Sequence, residues 1–302
     1  MLVEETARYL ITRNDGVYLD LTCGGGGHLK YIASLLSEKA LLVGIDRDPV
    51  AVTESKEALS RLPQKSEVIN IVFDRFDEAL LSIGISKVDG VFLDAGLSSH
   101  QIDSPHRGFS FTQDGPLDMR MGPDSRISAE IIVNDYTVER LAAIFREYGE
   151  EKRSFAAARA ICSERKKGRI TTTGMLREIL IPVLSPKYRN ASLARIFQAI
   201  RIEVNEELEQ LKRVMPKALE YLATGGHIVV ISYHSLEDRI VKRFLSEKAL
   251  GCTCPPDFPV CVCGKKPSVK LLTKKAVRPG DDEMEANTRS RSAKLRAAEK
   301  IA

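Results

Sequence analysis

Long apolar runs are missing from this sequence, and with them the usual sign of a membrane protein. No stretch among the 302 residues approaches the roughly 20 consecutive apolar residues that a transmembrane helix needs. The first residues, MLVEETARYL, include two acids and no basic region followed by an apolar core, so we predict no signal peptide. Cysteine is also scarce, at six residues. We therefore expect a cytoplasmic protein with reduced thiols and no membrane partner.

Neither sign of charge dominates the whole chain, whose net charge is +4, but the basic residues are unevenly placed. From Arg239 to Ala302 there are 15 Lys and Arg against 7 Asp and Glu, a net charge of +8, which leaves −4 for the rest. A basic C-terminal quarter favours a polyanionic partner. A solvated, charged tail is an equally good interpretation of this pattern.

Five short apolar segments predict the strands of a sheet. They are VYLDL (17–21), LLVGI (41–45), VINIVF (68–73), VDGVFLD (88–94) and HIVVISY (227–233). Such near-continuous hydrophobic strands are typical of a parallel sheet covered on both faces. Helical patterns separate the first four segments, and Asp48 followed by Pro49 is a good start for a helix through Leu59. The alternation predicts a doubly wound α/β fold.

Convincing strand patterns are absent between Asp94 and His227. Helical patterns cover 137–148, 152–166, 173–181 and 193–214 instead. Because a crossover needs only about a dozen residues in addition to its helix, we predict an inserted all-helical domain at 112–191. Residues 1–111 and 192–302 would then form the sheet domain, to which 193–214 returns as the crossover helix. Near the C-terminus, VKLLT and SAKLRAA would form a closing hairpin.

A glycine cluster, DLTCGGGGH at Asp20–His28, follows the first predicted strand. This arrangement brings backbone N–H groups and a helix N-terminus beside a ligand. Gly24 and Gly26 fit the first two glycines of the dinucleotide fingerprint G-x-G-x-x-G, but Leu29 stands at the position of the third. This weakens the case for a nicotinamide or flavin site. Asp20, just ahead of the glycines, suits a site that holds an ammonium group, as S-adenosylmethionine sites do.

Two further acids end strands of the predicted sheet, Asp46 the second strand and Asp94 the fourth. Ligands of open α/β sheets bind beyond the carboxyl ends of the strands, so we expect Asp20, Asp46 and Asp94 on one rim. A carboxylate at Asp46 would accept the ribose hydroxyls of an adenosine. A helix-start acid is the alternative for Asp46, and Asp48 suits that role better.

Longer motifs make the sequence similar to one bacterial family. In chain order they are DLTCGGGGH, GIDRDPVAV, LDAGLSSHQID, RGFSFTQDGPLDMRM, FQAIRIEVNEEL and GGHIVVISYHSLEDRIVK. Over nearly the whole chain they resemble the motifs of the 16S ribosomal RNA cytosine-N4 methyltransferases, the MraW or RsmH family. The resemblance implies a Rossmann-like methyltransferase sheet and S-adenosylmethionine as the cofactor. It also implies methyl transfer to N4 of a decoding-centre (P-site) cytosine in the small ribosomal subunit. The sequence leaves a monomer and a homodimer both open.

The resemblance also implies contact residues, carried over motif by motif. The cofactor contacts would be Gly26, Gly27, His28, Asp46, Phe76, Asp94 and Gln101. The substrate contacts would be Arg107, Phe109, Asp118, Arg120, His234, Arg289 and Arg291. An aromatic ring after the third strand, such as Phe76, can cover an adenine, although a core phenylalanine is the alternative. The family's N-P-R-A-R-S is NTRSRS here, which keeps both late arginines.

Asp94 is the predicted catalytic group, since its carboxylate would accept an N–H bond from the cytosine amino group and later take the proton. DNA amino methyltransferases carry Asp/Asn-Pro-Pro-aromatic at this point, whereas this chain has DAGL. The aromatic ring that stacks on the base must therefore come from elsewhere. Phe109, Phe111 and Tyr233 are the candidates, with core packing an equally good interpretation of each.

Two of the motifs also allow a structural interpretation. RGFSF could be a structural loop. In HSLED, Glu237 and Asp238 would line the site, unless Ser235 and Asp238 form a capping box at the start of a helix.

Four late cysteines, Cys252, Cys254, Cys261 and Cys263, form the pattern C-x-C-x6-C-x-C. Four thiolates could hold a structural zinc, although the usual spacing is C-x2-C. A reduced proline-rich loop, or redox pairing, is the alternative. No metal is predicted for the methyl transfer, because the methyl donor is itself positively charged.

Three other functions compete with this one. A nucleotide-binding oxidoreductase should show the third glycine and a hydride-transfer residue, and neither is found. A DNA amino methyltransferase should carry the Pro-Pro-aromatic motif. A non-enzymatic RNA-binding factor that kept the fold is opposed by the glycine cluster and the strand-end acids, but binding residues do not establish turnover.

Overall fold

The computed structural model describes residues 1–96, 104–252, 254, 258, 260 and 263–302. The chain divides into two compact units, one of Met1–Gly96 with Leu208–Ala302 and one of Leu97–Glu207. The first unit contains the sheet and the second is helical. Within the described ranges, no helix is both long and apolar enough to span a bilayer.

Strands and helices alternate along the first unit. In chain order they are α1 (Val3–Leu10), β1 (Val17–Asp20), α2 (Gly27–Ser34), β2 (Leu41–Asp46), α3 (Pro49–Leu59), β3 (Lys65–Asn70), α4 (Phe76–Ser82) and β4 (Val88–Asp94). The strand order is β3-β2-β1-β4, all parallel. Helix α3 begins as the sequence predicts, with Asp48 Oδ1 accepting the Val50 N–H at 3.1 Å.

The sheet continues beyond β4 with later segments of the chain. Leaving the helical unit aside, these are β5 (Leu222–Ser232), β6 (Val269–Leu271) and β7 (Lys294–Lys300), which extend the order to β3-β2-β1-β4-β5-β7-β6. Strand β7 is antiparallel to both β5 and β6, so the closing hairpin is confirmed. The mostly parallel, doubly wound sheet is confirmed as well.

Successive strand residues supply two hydrophobic cores, one on each face of the sheet. Leu19 and Val91 belong to one buried cluster, whereas their neighbours Tyr18 and Phe92 belong to the other. A sheet buried on both faces explains why its strands read as continuous apolar runs in the sequence.

The third strand lies earlier than the predicted 68–73. Strand β3 ends at Asn70, whose side-chain amide donates to the Asp46 carbonyl oxygen at 2.9 Å, and Phe73 begins a 3-10 turn. The apolar residues Ile71 and Phe73 pack against the sheet core from this connection rather than from a strand. Apolar content alone therefore misplaced the strand.

The second unit holds five of the described helices. They are α5 (Ala129–Asp135), α6 (Val138–Glu147), α7 (Ser154–Glu164), α8 (Thr173–Leu180) and α9 (Arg189–Asn205). The unit is wider than the predicted 112–191. Phe109 and Phe111 pack against its hydrophobic core, and the Phe111 ring lies 5.8 Å from that of Phe197. The segment ahead of residue 112 therefore belongs to this unit.

The predicted crossover helix 193–214 is two helices. Helix α9 ends at Asn205, Glu206 adopts a left-handed backbone conformation with φ of 51°, and α10 (Glu207–Tyr221) follows. The buried Asn205 side chain accepts the Met121 N–H at 2.9 Å and donates to the Met119 carbonyl at 2.8 Å. The end of α9 is thus fixed by a distant segment, which no local pattern reveals. The remaining helices, α11 (Ser235–Ala249) and α12 (Asp281–Ala286), belong to the first unit.

Candidate active site

Three carboxylates lie at the carboxyl ends of three adjacent strands. Asp46 ends β2, Asp20 ends β1 and Asp94 ends β4, and β1 lies between the other two strands. The strand order reverses between β1 and β4, which is the position where open α/β sheets bind their ligands. The structure thus places all three predicted acids on one rim of the sheet.

Thr22 links two of these acids and was not singled out from the sequence. Its N–H donates to Asp20 Oδ1 at 3.0 Å, and its hydroxyl oxygen accepts the Asp94 N–H at 2.7 Å. Thr22 lies within the glycine motif, but the motif does not indicate that the N–H and hydroxyl groups of Thr22 join neighbouring strands. The link fixes the turn after β1 against the end of β4.

The three acids lie at one rim, with Asp20 buried and Asp46 and Asp94 half-buried. The Asp20 residue is 1% exposed, and its Oδ2 has no hydrogen-bond partner among the described residues. Burial raises the pKa of Asp20 to about 8; the Thr22 N–H opposes that rise, and the charges of Asp94 and Asp46 add to it. Burial also raises the pKa of Asp46 and of Asp94. A cationic ligand would stabilise all three carboxylates, whereas an anion such as pyrophosphate would be repelled.

The glycine cluster brings backbone close to this rim. Gly24 and Gly26 have φ of +51° and +80°, a conformation that favours glycine. The Gly24 N–H donates to Asp46 Oδ2 at 2.9 Å, which ties the cluster to the end of β2. A Cβ added at Gly24 or Gly27 would meet nothing within 4 Å, so both face open space.

Gly26 is different, because its missing side chain makes room for helix α3. A Cβ there would lie 2.9 Å from Ser55 Oγ. A left-handed conformation also costs a residue with a side chain about 1–2 kcal/mol. The tight packing against Ser55 is a constraint that the sequence motif alone does not reveal.

His28, at the start of α2, is partly buried beside Asp94. Its ring lies 4.6 Å from that of Phe92, centroid to centroid, and its Nε2 lies 3.0 Å from the Met1 carbonyl oxygen. Since a carbonyl only accepts, Nε2 carries the hydrogen. Burial lowers the pKa of His28, and the nearby Asp94 carboxylate opposes this. The residue therefore contributes a neutral, oriented ring to the rim.

Tyr233, one residue beyond β5, is held in place by Asp94. Its hydroxyl donates to Asp94 Oδ2 at 3.2 Å, and a Cβ on Gly96 would lie 2.5 Å from its ring. Burial raises the pKa of this phenol, and Asp94 raises it further. Among the three proposed stacking aromatics, Tyr233 thus lies at the acid cluster, whereas Phe109 and Phe111 pack against the helical core.

Phe76 is a core residue in this structure. It begins α4, is fully buried in the cluster on one face of the sheet, and meets the Tyr221 ring edge-on at 5.3 Å. The core alternative is therefore favoured over an adenine cover, because the ring presents no surface to a ligand. Gln101 lies outside the described residues.

Comparison with known proteins shows which family the chain belongs to. The model of the MraW methylase family matches residues 1–301. The chain belongs to this family. It is 47% identical over 302 residues to a ribosomal RNA small subunit methyltransferase H of Caldicellulosiruptor saccharolyticus, covering 100% of this chain and 98% of that protein. With the protein of the same name from Clostridium botulinum it shares 46% identity, again over 100% and 98%.

Among solved structures, an rRNA methylase from Streptococcus thermophilus aligns with 99% of this chain and 94% of its own, at 10% identity and a TM-score of 0.42. The family assignment rests on the sequence matches, which cover the whole chain. The chain is thus a methyltransferase of the MraW family.

The family motif RGFSFTQDGPLDMRM builds a compact loop in the helical unit. The Arg107 guanidinium donates to the carbonyl oxygens of Arg120 and Met121 at 3.1 and 3.0 Å. Arg120 Nε lies 2.6 Å from Asp118 Oδ1. Burial would raise the pKa of Asp118, but the hydrogen bonds from Arg120 outweigh it and lower the pKa. These contacts fit the structural-loop interpretation of RGFSF.

The family motif HSLED caps helix α11, one residue earlier than predicted. His234 rather than Ser235 is the N-cap, since its Nδ1 accepts the Glu237 N–H at 3.4 Å. Glu237 Oε2 in turn accepts the N–H groups of His234 and Tyr233, at 3.2 and 2.8 Å. Glu237 thereby fixes the backbone that carries Tyr233, a role that the sequence did not indicate.

The other predicted site residues of the C-terminal part lie on helix α11 and on a turn close to the C-terminus. Asp238 pairs with Arg296 of β7 at 2.6 Å, which makes it a link between α11 and the sheet. Arg289 and Arg291 are exposed on a 3-10 turn at Thr288–Ser292.

We expect Gly26→Ala to weaken S-adenosylmethionine binding at least about tenfold. The left-handed backbone would cost alanine about 1–2 kcal/mol, and the contact with Ser55 would add to that cost, so the turn would be displaced from its binding position. Gly168→Ala, in the helical unit, is the matched control and should keep the wild-type affinity, since its Cβ would meet nothing within 4 Å. Isothermal titration with the cofactor measures both affinities. Unchanged binding by Gly26→Ala would contradict the role given to this turn.

Proposed function

We propose that this protein transfers a methyl group from S-adenosylmethionine to N4 of one decoding-centre cytosine in 16S ribosomal RNA. The relatives that match the whole chain are named for ribosomal RNA of the small subunit, which supports the substrate class. The cytosine and its N4 are the finer part of the proposal and come from the motif resemblance. The reaction would take place where small subunits are, in the cytoplasm.

The observation that carries the cofactor assignment is the buried carboxylate oxygen of Asp20, which has no hydrogen-bond partner among the described residues and lies between two further strand-end acids. S-adenosylmethionine carries a sulfonium and an ammonium charge, so it suits a rim of the sheet that gathers three carboxylates. Asp20 would hold the ammonium group and Asp46 the ribose hydroxyls. The open space in front of Gly24 and Gly27 would admit the ligand to the backbone.

When bound, the cofactor would supply an electrophilic methyl group; the N4–methyl bond would form as the sulfur–methyl bond breaks, and Asp94 would take the proton that N4 loses. The amino lone pair of cytosine is delocalised into the ring, so N4 is a poor nucleophile. Asp94 Oδ1 or Oδ2 would accept an N–H bond from it and raise its electron density. Tyr233, held by its hydroxyl against Asp94, would confine the base.

The helical unit is the proposed RNA-recognition domain. Its surface presents the exposed basic residues Arg159, Lys166 and Lys187. Lys187 lies over the exposed Tyr188 ring, with Nζ 5.4 Å from the centroid. An exposed aromatic ring beside a cation is suited to an unstacked base and its phosphate.

The proposal is tested by transfer of labelled methyl from S-adenosylmethionine to small ribosomal subunits taken from cells that lack the activity. Naked 16S RNA is tested beside the subunits, and the labelled nucleoside is mapped. We expect N4-methylcytidine at a single decoding-centre position. Tight cofactor binding without transfer to either substrate would favour a binding factor, and label on another base would contradict the proposed acceptor.

A further inference from the structure

Three cysteine thiols lie together in the segment between α11 and β6. The Sγ atoms of Cys252, Cys254 and Cys263 are all within 4.8 Å of one another, and those of Cys252 and Cys263 are 3.7 Å apart. None of the three forms a disulfide. The fourth cysteine of the sequence pattern, Cys261, lies outside the described residues. The predicted methyl transfer uses none of them.

The spacing of these sulfur atoms is that of a metal site. In a tetrahedral zinc site with Zn–S bonds of about 2.3 Å, two sulfur atoms are about 3.8 Å apart. The distance of 3.7 Å between the Sγ atoms of Cys252 and Cys263 matches this sulfur–sulfur spacing. The Sγ atom of Cys254 lies within 4.8 Å of both, so the three sulfur atoms form a triangle of similar size. A disulfide would instead need about 2.05 Å between the sulfur atoms. We propose that Cys252, Cys254 and Cys263 bind a zinc ion as thiolates.

Groups next to the three sulfur atoms would orient and offset the charge of zinc-bound thiolates. The Cys254 N–H points at Cys252 Sγ, 3.3 Å away, and such bonds orient the ligand and stabilise its negative charge. Lys265 and Lys266 follow Cys263 after one glycine and are exposed, so two cations lie close along the chain to an anionic zinc–thiolate centre. Gly264, with φ of +62°, lets the chain turn directly after its ligand.

The large apolar side chains described in this segment are exposed, Leu250, Phe258 and Val260 by 57%, 53% and 70%. Where apolar burial is small, a short segment is usually held by a disulfide or a metal. Zinc would join the chain after α11 to the chain before β6, and so fix the start of the closing hairpin.

The test is metal content of the full-length protein, purified under reducing conditions, incubated with zinc and freed of excess by gel filtration. We expect one zinc per chain in the wild type and its loss in both Cys252→Ser and Cys263→Ser. Cys162→Ala, a buried cysteine of α7, is the matched control and keeps the metal. Cobalt in place of zinc should give the wild type the intense visible bands and sulfur-to-metal charge transfer of a tetrahedral thiolate site. Cys252→Ser and Cys263→Ser should not show these bands.

A wild type without stoichiometric zinc would overturn the proposal, as would zinc retained by both serine variants. So would a Cys252–Cys263 disulfide found after rapid alkylation of thiols in a fresh lysate. If the serine variants do not fold, the wild type still decides. Removal of zinc by a chelator should raise the rate of proteolysis between Ala249 and Val269 at least about tenfold, and added zinc should return the rate to its original value. A rate that does not change on removal of zinc would contradict the inference. Cofactor binding, measured in the same samples, separates this result from the proposed function.

Discussion

Replacement of Asp94 by asparagine is expected to lower kcat for methyl transfer about 100-fold or more, the usual contribution of a positioned proton acceptor. The substitution preserves the size of the side chain but removes the charge that would draw the N–H of the cytosine amino group. The Asp94 N–H bond to Thr22 comes from the backbone and would remain, so the end of β4 should keep its position. The measurement is single-turnover transfer to small subunits at saturating cofactor.

Asp89→Asn is the matched control for this variant. Asp89 lies on the same strand at its other end, where Oδ2 accepts the Val17 N–H at 2.8 Å. It should change the free energy of unfolding but not the rate of transfer by bound enzyme. If Asp94→Asn transferred methyl at the wild-type rate, Asp94 would be a cofactor contact at most. If only the cofactor affinity fell, the proton acceptor would have to be another group.

Local signals were sufficient where a residue acts within its own segment. Asp48 with Pro49 predicts the start of α3 correctly because the cap bond runs from an N–H two residues away. The strands were found because both sheet faces are buried, which makes the apolar runs continuous. Glu206 could not be predicted to break a helix, since the reason is the bond network of Asn205 with the Met119–Met121 backbone.

The same division holds for the candidate site. Asp20, Asp46 and Asp94 were predicted to share a rim, because parallel strands end at one edge of the sheet. Thr22 and Glu237 were missed as linking residues, because their partners belong to other elements and depend on the register between strands. Phe76 was predicted as a cofactor contact from the family resemblance, but its ring is buried in the hydrophobic core.

The burial of Asp20 implies that cofactor affinity depends on pH. Asp20 has its pKa raised to about 8, mainly by burial, and must lose its proton before it can pair with the cofactor's ammonium group. We therefore expect the affinity to fall about tenfold per pH unit as the pH drops below about 8, and to fall again at higher pH, where the cofactor's ammonium group loses its own proton. Calorimetry in buffers of different ionisation enthalpy should find about one proton released per cofactor bound at neutral pH.

The same carboxyl affects the stability of the ligand-free chain in the opposite sense. A carboxyl whose pKa is higher in the folded than in the unfolded chain stabilises the fold below its unfolded pKa, and this contribution is lost as the pH rises through about 8. Asp20→Asn should therefore bind the cofactor poorly at every pH, yet exceed the ligand-free wild type in free energy of unfolding by at least about 1 kcal/mol above that pH. Urea denaturation across the pH range measures this difference. An Asp20→Asn chain that lost stability at high pH would mean that the carboxylate has a cationic partner in the folded protein, and the site would then not require a cation from the cofactor.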